Sequence, residues 1–153
     1  MNKSRPQRIC SQRWNEVTCV LCTFNNLFQK QIFKNLSELV FNYQTVCKYH
    51  RIDIPSKIQD DHGVIEDVIL EFFKNHNYEV QKVKKDQPVE WGWATFKVKL
   101  NGHEFLHMVA IVHGYVIDSI RLDSIPEGIY FWKGKLVGYD SQKLKTLYRI
   151  NAL

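Results

Sequence analysis

The stretch from Glu104 to Ser119 constrains the fold of this chain more than any other part of the sequence. Residues 108–112 and 115–117 are apolar and rich in β-branched side chains, which predicts two β-strands rather than a helix. His113-Gly114 lies between them, and Gly readily takes the positive φ that a two-residue hairpin turn requires. The segment is therefore predicted to be a β-hairpin.

The hairpin register brings two polar side chains together. If Val112 pairs with Tyr115, then Val109 lies opposite Asp118, counting back from the turn. Side chains alternate between the two faces of a strand, so His107 becomes a diagonal neighbour of Asp118 on the same face. The sequence thus predicts a carboxylate within reach of an imidazole.

Length and composition indicate one globular domain. The chain has 153 residues, of which 44% are hydrophobic and 13% aromatic, so it can bury a core and is not of the disordered class. The net charge of +5 is spread along the chain without a nucleic-acid-binding motif, so nucleic acid is not expected as a partner. No apolar run approaches the roughly 20 residues of a membrane span, and no membrane partner is expected.

Four cysteines lie in the first third of the chain: Cys10, Cys19, Cys22 and Cys47. The N-terminus is polar and basic and lacks the apolar run of a secretory signal. We therefore expect a cytoplasmic protein whose cysteines are free thiols in a reducing compartment.

The order of the predicted elements indicates an α+β fold. Residues 1–14 are polar and basic and are expected to form a flexible arm, followed by a single domain over residues 15–153. Periodicity and turn signals place helices before an antiparallel meander. The helices are predicted at 19–30, 35–50 and 64–74. The strands, besides the hairpin, are predicted at 78–83, 93–100, 129–132, 136–139 and 147–150.

Cys19 is a candidate nucleophile. It lies in the first turn of a predicted helix, where the positive end of the helix dipole favours a thiolate. His107 can take or hold the thiol proton, and Asp118 can fix the orientation and tautomer of the ring. A buried structural cysteine and a hydrogen-bonded histidine remain the alternative interpretation of the same residue types.

Two segments carry a resemblance to a known family. Thr18-Cys19-Val20-Leu21-Cys22-Thr23-Phe24 resembles the start of the active-site helix in compact papain-like cysteine peptidases of the bacteriocin-processing type and their bacteriophage-encoded relatives. Residues 107–119 resemble the His-strand-Gly-strand-Asp-Ser segment of the same families, and residues 63–80 their middle helix–strand unit. The resemblance implies a papain-like fold, N-terminal helices packed on a C-terminal antiparallel sheet.

The resemblance also implies an activity. It assigns Cys19 as nucleophile, His107 as base and Asp118 as the residue that orients the base. The implied reaction is hydrolysis of a peptide or isopeptide bond through a thioester, with a protein or peptide substrate and no cofactor. A polar residue upstream of the cysteine helps to form the oxyanion hole in this family. Gln12 is the nearest match, although it lies further upstream than expected, and Asn15 is the substitute.

Three alternatives stay open. The first is a catalytically inactive papain-like module that binds a protein, as a virion or host-modulating component. The second is a zinc peptidase, because residues 103–107 read H-E-x-x-H. That motif needs a helix, whereas in a strand His103 and His107 lie about 13 Å apart. The third is a redox pair or half a zinc site, from the C-x-x-C of Cys19 and Cys22.

Overall fold

The computed structural model describes residues 5–11, 19–51, 59–60, 63–64, 67–85, 87–100, 102–119, 129–131 and 144–153. These residues form three helices and eight strands, which confirms the α+β class. The helices are α1 (Cys19–Phe28), α2 (Leu36–Tyr49) and α3 (Asp67–Lys74). The strands are β1 (Gln59–Asp60), β2 (Gly63–Val64), β3 (Tyr78–Lys82), β4 (Trp91–Leu100), β5 (His103–Val112), β6 (Tyr115–Ile117), β7 (Ile129–Phe131) and β8 (Leu144–Ala152).

The main sheet is antiparallel, with strand order β3-β8-β4-β5-β6-β7. Strands β4 to β7 follow one another as a meander, as predicted. The expectation of a meander throughout is wrong at the C-terminus, because β8 inserts between β3 and β4. No local turn encodes that long-range pairing. The strand predicted at 136–139 lies outside the described residues.

The central hairpin has the predicted turn. Val112 pairs with Tyr115, and His113 and Gly114 take φ values of 54° and 79°. Both central residues of the turn therefore lie in the left-handed region, as a type I′ turn requires. A two-residue turn fixes the register of the two strands, and with it the face on which each side chain lies.

Strand β5 is buried on both faces from His107 to Val112. Met108, Ala110 and Val112 belong to a core cluster with α1, α2 and α3, whereas Val109 and Ile111 belong to a second cluster with β4, β6 and β8. A strand covered on both sides reads as a continuous apolar run instead of an alternating one. The composition of residues 108–112 therefore follows from the central place of β5.

Aromatic side chains join the helices to the sheet. Trp93 is fully buried and stacks on Tyr148 of β8 at 4.8 Å and on Phe73 of α3 at 6.0 Å between ring centroids. Trp91 donates a hydrogen bond from Nε1 to the carbonyl oxygen of Leu27, at 2.9 Å. The bond from Trp91 fixes the C-terminal end of α1 against β4.

Candidate active site

Helix α1 carries the cysteine of the site, and it is buried around its whole circumference from Cys19 to Leu27. One side packs on β5, through the core cluster that contains Val20 and Phe24. Cys22, Asn26 and Gln29 share another side, since residues three and four apart are neighbours on a helix. That side contacts the N-terminal residues of the chain.

Residues 5–11 lie along α1 and are held there by hydrogen bonds. Asn26 Oδ1 accepts from the backbone N–H groups of Ile9 and Cys10, at 2.8 and 3.0 Å, and its Nδ2 donates to the carbonyl oxygen of Cys10 at 3.2 Å. Gln29 makes two further bonds, with the backbone N–H and carbonyl of Gln7. This part of the expected flexible arm is thus attached to the helix, and Pro6 within it is buried.

Cys10 and Cys22 form a disulfide, whereas Cys19 and Cys47 are free and buried. The prediction of four free thiols is therefore wrong for Cys10 and Cys22. The prediction treated Cys10 as an ordinary exposed thiol, whereas hydrogen bonds hold its backbone against α1. Cys22, Asn26 and Gln29 follow one another at helical spacing, and these polar positions on a buried helix were the signal for a covering segment.

His107 and Asp118 meet as the hairpin register predicts. Nε2 of His107 lies 2.8 Å from Oδ1 of Asp118, and the two residues are only 2% and 1% exposed. His107 comes from β5, and Asp118 directly follows the last residue of β6. The two-residue turn brings them together from positions that are eleven residues apart in the chain.

Cys19 completes the arrangement from the other side of the imidazole. It is the first residue of α1, is 8% exposed, and its side chain is hydrogen-bonded to His107. Because Asp118 occupies Nε2, the other ring nitrogen, Nδ1, is the one left for the sulfur. The result is a chain of contacts from thiol to imidazole to carboxylate.

The protonation of His107 follows from these neighbours. Burial alone lowers the pKa of the imidazole. The charge of Asp118 and its hydrogen bond oppose this effect, as do the hydrogen bond and charge of Cys19, and together they raise the pKa of His107 to about 10. At neutral pH the ring is therefore an imidazolium. It donates from Nε2 to the carboxylate and from Nδ1 to the sulfur.

The other sequence candidates have different outcomes. Gln12 and Asn15 lie outside the described residues. The H-E-x-x-H residues lie on strand β5, so the helix that a zinc peptidase needs for this motif is replaced by an extended chain. Among the residues the structure describes, no three His, Cys, Asp or Glu side chains form a group able to hold a metal ion. Cys22 of the C-x-x-C pairs with Cys10 and not with Cys19.

Comparisons with known proteins found no relative from which the site could be interpreted. The chain matches no protein-family model, and no curated protein matches its sequence. Within the described part of the chain, none of the helices is both long and apolar enough to cross a membrane.

Proposed function

We propose that this protein is a papain-like cysteine peptidase that uses Cys19, His107 and Asp118 to cleave a peptide or isopeptide bond. The observation that carries the proposal is the hydrogen-bonded sequence of thiol, imidazole and carboxylate, with the thiol at a helix start. This order of groups is the one that activates a cysteine nucleophile and orients its base. The resemblance of residues 18–24 and 107–119 to that peptidase family agrees with it.

The proposed reaction has two halves. The Cys19 thiolate attacks the carbonyl carbon of the scissile bond, and the imidazolium of His107 donates its Nδ1 proton to the leaving amine. The resulting thioester is then hydrolysed by water, which His107 deprotonates as a general base. The C–S bond then breaks, which releases the acid product and the Cys19 thiolate, and because His107 keeps the proton taken from water the thiolate–imidazolium pair is restored. Asp118 accepts the Nε2–H of His107 and holds the ring with Nδ1 toward the sulfur.

The developing oxyanion needs donors, and the start of α1 supplies them. The first N–H groups of a helix have no partner within the helix, so the backbone N–H of Cys19 is the proposed main-chain donor to a carbonyl oxygen bound beside its sulfur. Gln12 is the proposed side-chain donor, with Asn15 as the substitute.

Acyl-enzyme formation tests the proposal without knowledge of the natural substrate. We expect that p-nitrophenyl acetate acylates Cys19, seen as a burst of p-nitrophenol and as one added acetyl group by intact mass. Cys19→Ser and His107→Ala should each abolish the burst, whereas His113→Ala, which alters an exposed histidine of the same hairpin, should retain it. Cleavage of a mixed peptide library, mapped by its new termini, then defines the substrate.

A different outcome would favour the inactive binding module. If the wild-type protein forms no acetyl-cysteine, or forms it equally on Cys47, the thiol of Cys19 has no catalytic activation. The same result in a protein that remains folded by circular dichroism would overturn the peptidase proposal.

A further inference from the structure

Three of the four cysteines lie together at the N-terminal half of α1. Cys22 follows Cys19 by three residues, and it is bonded to Cys10 of the N-terminal segment. Residues three apart on a helix have neighbouring side chains, and C-x-x-C pairs at helix starts form disulfides in redox proteins. Cys22 therefore has two cysteines within reach, Cys19 along the helix and Cys10 across from it.

Cys10 is kept in this place by bonds other than the disulfide. The side chain of Asn26 hydrogen-bonds to the N–H and carbonyl of Cys10 and to the N–H of Ile9. The side chain of Gln29 hydrogen-bonds to the backbone of Gln7. These hydrogen bonds do not depend on the oxidation state of the sulfur. Reduction of the disulfide therefore leaves the Cys10 thiol beside Cys22.

We propose that Cys19 is an oxidation site and that Cys22 and Cys10 form a two-step relay that returns it to the thiol after attack by a peroxide. The proposal concerns the sulfur chemistry of α1 and does not depend on the proposed peptidase activity. In this relay the Cys10–Cys22 disulfide is the final oxidised product.

The relay balances in three steps. Hydrogen peroxide oxidises the Cys19 thiolate to a sulfenic acid and releases hydroxide. The Cys22 thiol then attacks that sulfur, which forms the Cys19–Cys22 disulfide and releases water. Finally the Cys10 thiolate attacks the Cys22 sulfur, forms the Cys10–Cys22 disulfide and expels the Cys19 thiolate. One peroxide is reduced, two thiols are oxidised, and Cys19 ends in its starting state.

His107 favours the last step in the direction that forms the Cys10–Cys22 disulfide and releases Cys19. A thiol–disulfide exchange favours the thiolate that is the better leaving group. The Cys19 sulfur leaves beside the imidazolium of His107, which is hydrogen-bonded to it and balanced by Asp118 at 2.8 Å. Cys10 has its backbone already held beside Cys22, so its attack requires little ordering of the chain.

Peptide mapping distinguishes the three states. Trypsin places Cys10 on residues 9–13 and both Cys19 and Cys22 on residues 14–30. A Cys10–Cys22 bond therefore joins two peptides, and a Cys19–Cys22 bond removes two hydrogens from one. The experiment reduces the protein fully, adds one equivalent of hydrogen peroxide, blocks remaining thiols with N-ethylmaleimide in acid, and maps the peptides over time. Cys47, which is fully buried, is the internal control thiol.

Each variant should stop the relay at a different point. The wild-type protein should end with residues 9–13 joined to 14–30 and with Cys19 alkylated by maleimide. Cys10→Ser should stop at the Cys19–Cys22 disulfide, and Cys22→Ser should accumulate a Cys19 sulfenic acid that dimedone traps. Cys19→Ser should slow formation of the Cys10–Cys22 bond by at least about tenfold, because the thiol that is hydrogen-bonded to His107 is lost.

Two results would overturn the proposal. One is a Cys19→Ser protein that forms the Cys10–Cys22 bond as fast as the wild type, since Cys19 is then not the site of oxidation. The other is a folded Cys10→Ser protein in which Cys19 becomes sulfenic acid without ever joining Cys22. Either result leaves the peptidase proposal intact, because acyl-enzyme formation on Cys19 is measured without peroxide.

Discussion

The histidine and the cysteine of the site come from regions that are held together in different ways. His107 and Asp118 belong to one hairpin, in which a two-residue turn sets the register and brings the pair to 2.8 Å. Cys19 belongs to α1, which is held by the N-terminal segment on one side and by β5 and Trp91 on the others. The hairpin is therefore specified locally, and the helix is positioned by partners that are far away in the chain.

The hairpin can be predicted from local sequence, whereas the position of the helix cannot. A turn residue and an alternating pattern specify which side chains of a hairpin share a face, whatever the rest of the chain does. A helix that is buried on every side packs against a different segment on each face, and its hydrophobic pattern does not show which segments these are. The geometry between the two halves of the site is thus a property of the whole fold.

The largest expected effect is on the sheet side, at Gly92 of β4. A Cβ at this position would overlap the carbonyl oxygen of Tyr148 in β8, because the two backbones approach closely there. Gly92→Ala should therefore destabilise the protein by about 3 kcal/mol or more. The measurement is the midpoint of urea unfolding.

Gly102→Ala is the matched control for this prediction. It lies at φ +80° with no atom within 4 Å of an added Cβ, so it should cost about 1 to 2 kcal/mol, from backbone strain alone. Equal effects of the two substitutions would contradict the close approach of β4 and β8.

The sequence allowed prediction of those parts of the site that depend on local pattern. It indicated the β5–β6 hairpin, the pairing of His107 with Asp118, and a helix that carries Cys19. It did not indicate the Cys10–Cys22 disulfide or the insertion of β8 between β3 and β4. Both are contacts between distant segments, and their free energy comes from packing and chain closure, which no short motif encodes.

The second prediction concerns pH and the two buried charges. The pKa of His107 is raised to about 10 in the folded protein, against about 6.5 for an unfolded histidine. The folded state therefore binds one more proton between these values. Stability contributed by this proton is fully present below pH 6.5 and is lost as pH rises toward 10, by up to about 1.4 kcal/mol per pH unit.

Urea unfolding at pH 7, 8 and 9 measures this slope. Asp118→Asn is the comparison, because it removes the carboxylate whose charge and hydrogen bond raise the pKa of His107. The variant should be less stable at pH 7, and its stability should fall less steeply over the same range. Parallel curves for the two proteins would show that His107 does not stay protonated in the fold.

The third prediction tests how the N-terminal segment is held on α1. Asn26→Ala removes three hydrogen bonds and leaves two backbone N–H groups without their acceptor. In the presence of a reducing agent it should lower the free energy of unfolding by about 2 kcal/mol. Gln29→Ala removes bonds that are more exposed and should cost less than about 1 kcal/mol.

A neutral Asn26→Ala protein would mean that the hydrogen bonds of Asn26 do not hold residues 5–11 on the helix. In that case the hydrogen bonds would not keep Cys10 beside Cys22 after reduction. The comparison is therefore made with the Cys10–Cys22 bond open in both variants and in the parent protein.

The central claim is that His107 of the hairpin and Cys19 of the helix act as one unit. It is tested most directly by the rate at which iodoacetamide alkylates Cys19 near neutral pH in reduced protein, mapped by mass spectrometry against Cys47. We predict that Cys19 reacts faster than Cys47, and that His107→Ala slows Cys19 about tenfold, or about 1.4 kcal/mol, whereas His113→Ala leaves it unchanged. A Cys19 rate that is indifferent to the loss of His107 would contradict the account.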